Sequence, residues 1–494
     1  MKKFRRISCV LLAFALIFTC VKLATNPGAA AADFTFDVKT GYITGYNGTD
    51  KYVVIPPEIA GYTIKGIKEG CFKNKDITGV EIPDTVTEIE KEVFRGCEHL
   101  KEINMSGNIL KIGDSAFEGC TAFKKVEIPY SAQTVGKYAF KGCTSLKQVI
   151  IPYSVTEIGE SVFENCSSLV SIVYQAKAAE IPKAFCKGCV SLQYFDIPDN
   201  ITQISQSAFE GCKSLLFVNF PEGLDIIEAY AYKDCTGLKT LFIPENVSSV
   251  GYQAFMNCSD LKTAILDNDH FGKISGACTD TSCETFANCI NLTDVKILNN
   301  MTNLGENNTF KGCTSLVNVT IPANVVTISE STFADCSPNL TIYCKQNTEA
   351  LKMALAAGHN YSFDPAPAFD NSDVAPVAYK AIDVCVDEQY LYFDQEPVLE
   401  NNRTLVPLRA IFEALGATVD WDGTTQTVTA KKGNVTITLQ INSNTMYKNN
   451  KAIGLDVPAT LRNSRTLVPV RAVSEAFDCD VDWNGKYQTV IIKK

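Results

Sequence analysis

The sequence predicts a β-rich solenoid with a parallel sheet on one face, followed by a small α+β domain with an internal duplication. Eight cysteines follow each other at intervals of 23 residues from Cys97 to Cys258, and intervals of 31, 24 and 23 extend this ladder to Cys336. A short alternating β-branched segment follows each ladder cysteine. Near the end of the chain, two segments match each other at a constant offset of 62 residues.

Residues 1–32 have the pattern of a secretory signal peptide. Basic residues from Lys2 to Arg6 precede an apolar run from Ile7 to Val21, and three alanines stand before Asp33. The run is short for a membrane span of roughly 20 residues, so we expect export and no membrane anchor after signal removal. The formal charge is −10. An acidic chain repels phosphate backbones, which excludes nucleic acid and anionic membrane as expected partners.

Residues 33–363 form the predicted solenoid with its two caps. Residues 33–61 read as an opening cap, because a solenoid end exposes apolar surface and an open strand edge. The clearest repeat runs from Ala139 to Gly159 with the template A-F-x-G-C-x-x-L-x-x-V-x-I-P-x-x-V-x-x-I-G. Its L-x-x-V-x-I part predicts a short strand that Pro152 closes, and stacking should place these strands in one long parallel sheet. A second apolar set, with Val155 and Ile158, predicts a loose helical or extended turn on the far side.

This repeated unit resembles the BspA-like (Treponema-type) leucine-rich repeat of bacterial surface proteins. The resemblance covers residues 40–363 and implies a horseshoe-like solenoid, often exported and associated with adhesion. It brings no catalytic residues.

Three places depart from the repeat. Phe185 comes one residue early and Cys186 takes the aromatic position, while the step from Cys258 to Cys289 is longer and residues 300–308 are rich in asparagine. Insertions in solenoids are expected in surface loops. Residues 349–357 predict a short closing helix that stops at Gly358, and the Pro-, Ala- and Asp-rich residues 364–376 predict a linker.

Residues 377–494 predict a second domain built from two related copies. The segment from Asn402 to Ala410 recurs from Ser464 to Ala472, and V-D-W at 419–421 recurs at 481–483. Each copy predicts a strand, a helix from about Pro407 or its equivalent, and a strand pair. The segment resembles the copper amine oxidase N-terminal-like, or stalk, domain of exported bacterial proteins, which implies an attachment module. It contains no histidine, so copper binding is not expected, and the sequence predicts no cofactor.

The ladder cysteines are expected to be buried free thiols. Equivalent residues in adjacent coils have parallel Cβ directions, whereas a disulfide needs converging ones. Cys186 and Cys189 have a spacing known from redox and metal sites, but Cys189 belongs to the ladder. Cys278 and Cys283 lie in one insertion and are the candidate local disulfide.

The candidate binding site is the outward face of the strands. Residues five and seven positions after each ladder cysteine should point away from the core. They are polar or charged near both ends and apolar in the middle, and an apolar patch with a polar rim is typical of an interaction site. Sheet propensity alone is the competing explanation. The predicted partner-binding residues are Ile150, Val173, Tyr194, Phe217, Phe242 and Ile265.

No catalytic or metal-binding group is predicted. The three histidines, His99, His270 and His359, are scattered, and the Asp267–His270 region fits no metal-ligand spacing. Arg403, Arg409, Arg465 and Arg471 could contact anionic wall polymers, although a structural hydrogen-bonding role is favoured.

The sequence therefore predicts a non-enzymatic protein, secreted or held non-covalently at the bacterial surface. It would bind a protein or glycan of host or neighbouring cells through the repeat face, with a cell-wall polymer as a further partner of residues 377–494. The alternative is a structural, self-associating component of the envelope or matrix.

Overall fold

The computed structural model describes residues 31–267, 283–298, 300–304, 308–367, 383–387, 389–391, 397–400, 403–462, 465–484 and 489–494. The chain divides into two compact units, Met1–Ala375 and Pro376–Lys494. The finer domain boundaries at residues 32, 363 and 376 stay predictions.

Within the described residues, the first unit is built from short strands, one nine-residue helix and two short 3-10 turns. The turns are Ala31–Asp33 and Glu330–Phe333, and the helix is α1 (Glu349–Ala357). The strands in chain order are β1 (Phe34–Asp37), β2 (Tyr42–Tyr46), β3 (Tyr52–Val54), β4 (Glu58–Ile59), β5 (Tyr62–Thr63), β6 (Gly66–Ile67), β7 (Gly79–Glu81), β8 (Glu88–Ile89), β9 (Glu102–Asn104), β10 (Lys111–Ile112), β11 (Lys125–Glu127), β12 (Thr134–Val135), β13 (Gln148–Ile151), β14 (Glu157–Ile158), β15 (Ser171–Tyr174), β16 (Glu180–Ile181), β17 (Gln203–Ile204), β18 (Ile226–Ile227), β19 (Thr240–Ile243), β20 (Ser249–Val250), β21 (Thr263–Leu266), β22 (Asp294–Ile297), β23 (Asn318–Thr320), β24 (Thr341–Tyr343) and β25 (Asn360–Ser362).

A regular coil of the solenoid carries one strand on the predicted face and a two-residue strand on the far side, whereas in the coils of Tyr194 and Phe217 the described backbone forms only the far-side strand. In the clearest repeat these are β13 and β14, and the Val155 amide donates to the Pro152 carbonyl at 3.0 Å in the turn between them. The far-side strands pair in parallel as β2-β6-β8-β10-β12-β14 and β16-β17-β18-β20. The second apolar set of the repeat is therefore extended rather than helical at this position.

The expectation of one long parallel sheet on the main face is wrong. The strands form three separate sheets, β3-β7-β9, β11-β13-β15 and β19-β21-β22-β23-β24-β25. The first break falls where Phe123 takes the position of the repeat leucine, and the second where Phe195 takes that of the inward β-branched residue. Extra buried rings enlarge the core locally, so neighbouring backbones no longer reach strand hydrogen-bond distance.

A stack of aromatic rings runs through the core at the position three residues before the ladder cysteine. Successive rings from Phe72 to Phe163 have centroids 5.1–5.7 Å apart. The stack resumes at Phe209 and continues to Phe333. It is interrupted where Cys186 holds the aromatic position, and the displaced Phe185 meets its neighbours edge-on.

The two ends of the solenoid match their predicted caps. At the start, β1 pairs antiparallel with β2. At the end, Thr348 caps α1 and Gly358 adopts the left-handed conformation with φ of 73°, which favours glycine. The predicted closing helix with its glycine stop is confirmed at these bounds.

The second unit is a small β-rich domain with two short helices, α2 (Leu408–Ala414) and α3 (Val470–Glu475). Its strands are β26 (Asp383–Val386), β27 (Gln389–Tyr390), β28 (Val398–Glu400), β29 (Arg403–Pro407), β30 (Thr418–Asp422), β31 (Thr427–Lys432), β32 (Val435–Gln440), β33 (Thr445–Lys448), β34 (Lys451–Gly454), β35 (Thr460–Arg462), β36 (Arg465–Pro469), β37 (Asp480–Asn484) and β38 (Thr489–Lys493).

The predicted duplication appears as two strand–helix–hairpin copies. Strands β29 and β36 pair antiparallel with Val406 opposite Val468, and each leads directly into its helix. The hairpins β30–β31 and β37–β38 follow at equivalent positions. Each copy thus has the order that the sequence predicts, and both contribute to one hydrophobic core that includes Val406, Phe412, Val468 and Phe477.

Candidate functional site: the outward strand face

The ladder cysteines set the position of each strand. Every ladder thiol donates a hydrogen bond, with sulfur–oxygen distances of 3.0–3.4 Å, to the carbonyl of the aromatic position in the preceding coil. The strand begins five residues later. Because the thiol is tied to the coil before it, the ladder fixes the register of the outward positions from one coil to the next.

The chemistry of these thiols is that of core groups. Burial raises the pKa of Cys143 from 9.0 to about 12 and that of Cys97 to about 11. Burial also raises the pKa of Cys120 and Cys235 well above the ordinary value. A reactive cysteine needs a stabilised thiolate, so the ladder is a structural feature and not a nucleophilic site.

The alternation of inward and outward residues holds along the described strands. In β19 and β21, Leu241, Ile243, Ala264 and Leu266 are buried. The outward Phe242 between them is 46% exposed. Of the other predicted partner-binding residues, those that are half-buried are Val173, Tyr194, Phe217 and Ile265.

Ile150 departs from this expectation. It lies on the outward side of β13, opposite Glu127 and Val173, and it is not part of the core cluster. Its exposed fraction is nevertheless only 8%. The side chains of the neighbouring strands cover Ile150. It therefore packs beneath the exposed residues of the patch and offers little surface to a partner.

The six predicted residues occupy three structural settings. Ile150 pairs with Val173 in the sheet β11-β13-β15, and Phe242 pairs with Ile265 in the sheet that begins at β19. Tyr194 and Phe217 lie between these sheets, in coils where the described backbone forms no strand on this face. The backbone in the middle of the patch therefore makes fewer strand hydrogen bonds than the backbone on its two sides.

Below this gap, an aromatic cluster replaces the regular stack. Phe195 lies 5.0 Å from Phe209 and 6.0 Å from both Tyr174 and Phe185, measured between ring centroids. On this face the strand pairing is replaced by single contacts, in which the Gln193 amide donates to Val170 and the Leu216 amide to Gln193. The coils stay hydrogen-bonded elsewhere, for example from the Cys186 amide to Ala208 and from the Phe209 amide to Ala231.

Sequence reasoning missed two exposed apolar residues beside the patch. Leu216 and Val190 are each 37% exposed. Leu216 stands four residues after its ladder cysteine, a position that is lysine in five of the other ten coils, including Lys124, Lys147 and Lys262. At the fourth position after the ladder cysteine, lysine is replaced by an apolar residue in the coil of Leu216. This signal is missed when only the fifth and seventh positions after each cysteine are considered.

The rim of the patch is charged. Lys124, Lys147 and Lys262 are exposed along one side. Lys239 forms an ion pair with Asp260, and Asp196 is exposed near the centre. An apolar centre with a mixed charged rim is the general anatomy of a protein-binding surface.

The other candidate residues do not converge. The His99 Nδ1 lies 3.1 Å from an Asp76 carboxylate oxygen, His359 packs edge-on against Phe333, and His270 lies outside the described residues. Cys283 is half-buried, but its predicted disulfide partner Cys278 also lies outside the described residues, so this pairing stays a prediction. No group of three metal-ligating side chains occurs within the described part of the chain.

The arginines of the second unit take local partners. The Arg403 Nε donates to Asp456 at 2.6 Å. Arg409 and Arg471 lie 3.7 Å from Glu413 and Glu475, one helical turn further on. Both helix arginines are more than half exposed. Among the residues that can be described, no helix is both long and apolar enough to cross a membrane.

Comparison with known proteins places these features in context. The "BspA type Leucine rich repeat region" family model matches in six copies, over residues 65–189, 179–281 and 273–355. The "Copper amine oxidase N-terminal domain" model matches residues 385–492. That segment has no histidine and so lacks the imidazole ligands of a copper site. None of the curated proteins compared with the chain matches it.

Several solved structures are similar to the chain. A leucine-rich repeat protein from Bacteroides ovatus is 25% identical, with a TM-score of 0.49 over 67% of this chain and 97% of that one. A leucine rich cell surface protein from Faecalibacterium prausnitzii is 22% identical, with a TM-score of 0.39 over 68% and 96%. The pneumococcal vaccine antigen PcpA is 17% identical, with a TM-score of 0.36 over 66% and 94%.

The family matches confirm both resemblances that the sequence indicates. The repeat fold and an N-terminal type of oxidase domain, which is not the catalytic one, point to a non-enzymatic protein. They also support a protein-binding role of the surface or adhesion type in general. Since the repeat model spans more than half of its length, the chain belongs to the BspA-type leucine-rich repeat family.

Proposed function

We propose that this chain is an exported binding protein that recognises a protein or glycan on host or neighbouring cells through the outward strand face. The exposed Phe242, flanked by half-buried apolar residues in a charged rim, is the observation that carries the proposal. Large apolar side chains at the surface gain free energy when a partner buries them, and aromatic side chains dominate such interfaces. The second unit holds the solenoid at the bacterial surface.

The proposed binding surface differs from the one expected from the sequence, because only 8% of Ile150 is exposed. It contains Val173, Tyr194, Phe217, Phe242 and Ile265, with Leu216 and Val190 added and Ile150 as a supporting residue. On this face the central coils have few strand hydrogen bonds. Few such bonds must therefore break when these side chains adjust to a partner. Recognition is non-covalent and needs no cofactor.

The test replaces Tyr194, Phe217 and Phe242 with serine in the full-length chain. We expect folding to be retained, because these side chains lie outside the core cluster, and capture of partners from host and bacterial surface material to be lost. The matched control replaces Tyr130 and Tyr153 with serine. These two rings are also exposed, 6.4 Å apart, but they lie beyond the strand in the following turn.

Unchanged capture by the triple serine variant would rule out this surface as the site. Sedimentation velocity separates the proposal from the structural alternative. If the wild-type chain binds only its own copies, and the triple variant abolishes that self-association, the protein is a matrix component instead.

A further inference from the structure

The chain contains only two tryptophans, and they occupy equivalent positions in the two copies of the second unit. Trp421 lies in β30 and Trp483 in β37, 62 residues apart. Their exposed fractions are 44% and 42%. Tryptophan is highly buried on average in folded proteins. One half-exposed indole in each copy of a duplicated unit indicates a function at the surface.

The register of the hairpins fixes where each indole stands. Trp421 pairs with Val428 and Trp483 with Val490, and both valines are buried. Directly paired residues of an antiparallel ladder share one face of the sheet. Each indole therefore lies at the margin of the core, on an edge strand of its sheet. One part of each indole ring is anchored against the core and the rest is exposed to solvent. Each ring therefore forms a rigid platform for a ligand.

The charges around the indoles disfavour an anionic ligand. Asp420 and Asp422 flank Trp421, Asp482 precedes Trp483, and all three carboxylates are exposed. Arg409 and Arg471 each have a glutamate 3.7 Å away, so neither helix presents an uncompensated positive charge. Like charges repel, so among the described residues these carboxylates make each tryptophan an unfavourable site for a phosphate-rich polymer.

The size of each platform disfavours a protein partner. A stable protein interface buries about 800 Å² on each side. One aromatic side chain contributes at most about 250 Å². The two indoles lie in separate sheets. An indole face does match one sugar ring, because the C–H face of the ring is apolar.

We propose that Trp421 and Trp483 are two equivalent platforms for the sugar rings of a neutral, repeating glycan. The proposal names a ligand class for the attachment role proposed above and rests on it. A duplicated site suits a repeating polymer, because binding at one platform raises the effective concentration of the polymer at the other. Two weak contacts then hold a long glycan more firmly than either contact alone.

The first experiment uses the intrinsic fluorescence of the full-length wild-type protein, which arises from these two tryptophans. The probe is chitohexaose, a neutral oligomer of β-linked N-acetylglucosamine. We expect a saturable change in emission and an acrylamide quenching constant lowered about twofold, because each ring gives one face to a sugar. Polyphosphate, as the anionic comparison, should have no effect. No response to the neutral oligomer, or a response to polyphosphate alone, overturns the proposal.

The second experiment measures co-sedimentation with wall glycan stripped of its anionic polymers. Trp421→Ala and Trp483→Ala should each weaken binding about tenfold or more, and the double variant should abolish it. The matched control is Tyr447→Ala, since Tyr447 is 45% exposed in the same unit but pairs with Thr438 on the other face of its sheet. Equal losses for Tyr447→Ala, or full binding by the double variant, contradict the proposal.

Folding of each variant is checked by thermal unfolding. If an alanine variant unfolds, Trp→Phe at the same position and the wild-type fluorescence response still decide the outcome. A different result would show that the attachment role itself is wrong. In that case the protein would stay at the cell wall after deletion of residues 377–494. Loss of retention on deletion without glycan binding refutes only the present proposal.

Discussion

The ladder cysteine suits its position because it is small, apolar enough to be buried and still able to donate a weak hydrogen bond. The Cys143 thiol donates to the Phe117 carbonyl at 3.2 Å, which gives a second donor to a buried acceptor that already receives the Cys120 amide. Serine would donate more strongly but pays a larger cost of leaving water. Alanine would leave the carbonyl without this donor.

The buried thiols make the solenoid less stable at high pH. The pKa of Cys143 is raised from 9.0 to about 12, so the folded state keeps a proton that the unfolded state releases above pH 9. Stability is complete below pH 9 and falls as the pH rises toward 12, by about 1.4 kcal/mol per pH unit for each such thiol. Chemical denaturation of the full-length chain between pH 8 and 11 measures this slope.

The control for this pH dependence is Cys143→Ala. This variant should be less stable at pH 8 by about 1–3 kcal/mol, from the lost hydrogen bond and the small cavity, but its stability should fall less steeply above pH 9. Equal slopes for the variant and the wild type would mean that other groups cause the alkaline loss.

Single residues also mark the limit of what the sequence can predict. Counting from the ladder cysteines correctly places Phe242 on the surface and Leu241 in the core, since strand alternation is a local rule. The same count misjudges Ile150, because its burial depends on Glu127 and Val173 in adjacent strands. The thiol hydrogen bonds were also beyond prediction, since they depend on how one coil lies over the next.

Among the elements of the solenoid, one column of side chains alternates in charge. The position two residues before the ladder cysteine changes sign from coil to coil over seven successive coils. Ion pairs join Arg95 to Glu118 at 3.2 Å, Lys141 to Glu164 at 3.0 Å and Lys187 to Glu210 at 2.8 Å. The full column is Arg95, Glu118, Lys141, Glu164, Lys187, Glu210 and Lys233. Opposite charges therefore meet only when the coils stack in the correct order.

Reversing one charge in this column should be destabilising. Glu164→Lys places three lysines in successive coils, and we expect a loss of about 0.5–1 kcal/mol, since partly exposed pairs contribute little each. Glu164→Gln is the matched control, because it removes the ion pair with Lys141 without creating repulsion and should lose less stability than Glu164→Lys. Urea unfolding at low and high salt provides the measurement, because salt screens the repulsion. A loss for Glu164→Lys no greater than that for Glu164→Gln would show that the column is unimportant.

Elements that obey local rules were predicted well, and those that depend on packing between coils were not. The helix α1 with its cap at Thr348 and its stop at Gly358 follows from local signals. The breaks in the main sheet do not, since the segments around Tyr194 and Phe217 carry the same alternation as true strands. Their loss of pairing follows from the size of Phe195 and its contact with Phe209, 5.0 Å away, in the next coil.

On the scale of the whole molecule, the chain combines two units with separate cores. The core cluster of the solenoid extends from Phe34 to Ala354, and that of the second unit from Val384 to Ile492. The two clusters share no residue. The proposed recognition surface in one unit and the proposed tryptophan platforms in the other would divide the roles of the protein, with one unit for the foreign partner and one for retention.

Deletion of residues 377–494 tests this division. We expect the truncated protein to be exported but to move from the cell-wall fraction to the culture supernatant, because the proposed glycan contacts are removed. The solenoid core contains no residue of the deleted segment, so the shortened chain should keep its partner binding and its strand content by circular dichroism. The double Trp421→Ala, Trp483→Ala variant should be released in the same way while Tyr447→Ala stays with the wall. Retention of the deletion variant at the wall would instead assign attachment to the solenoid.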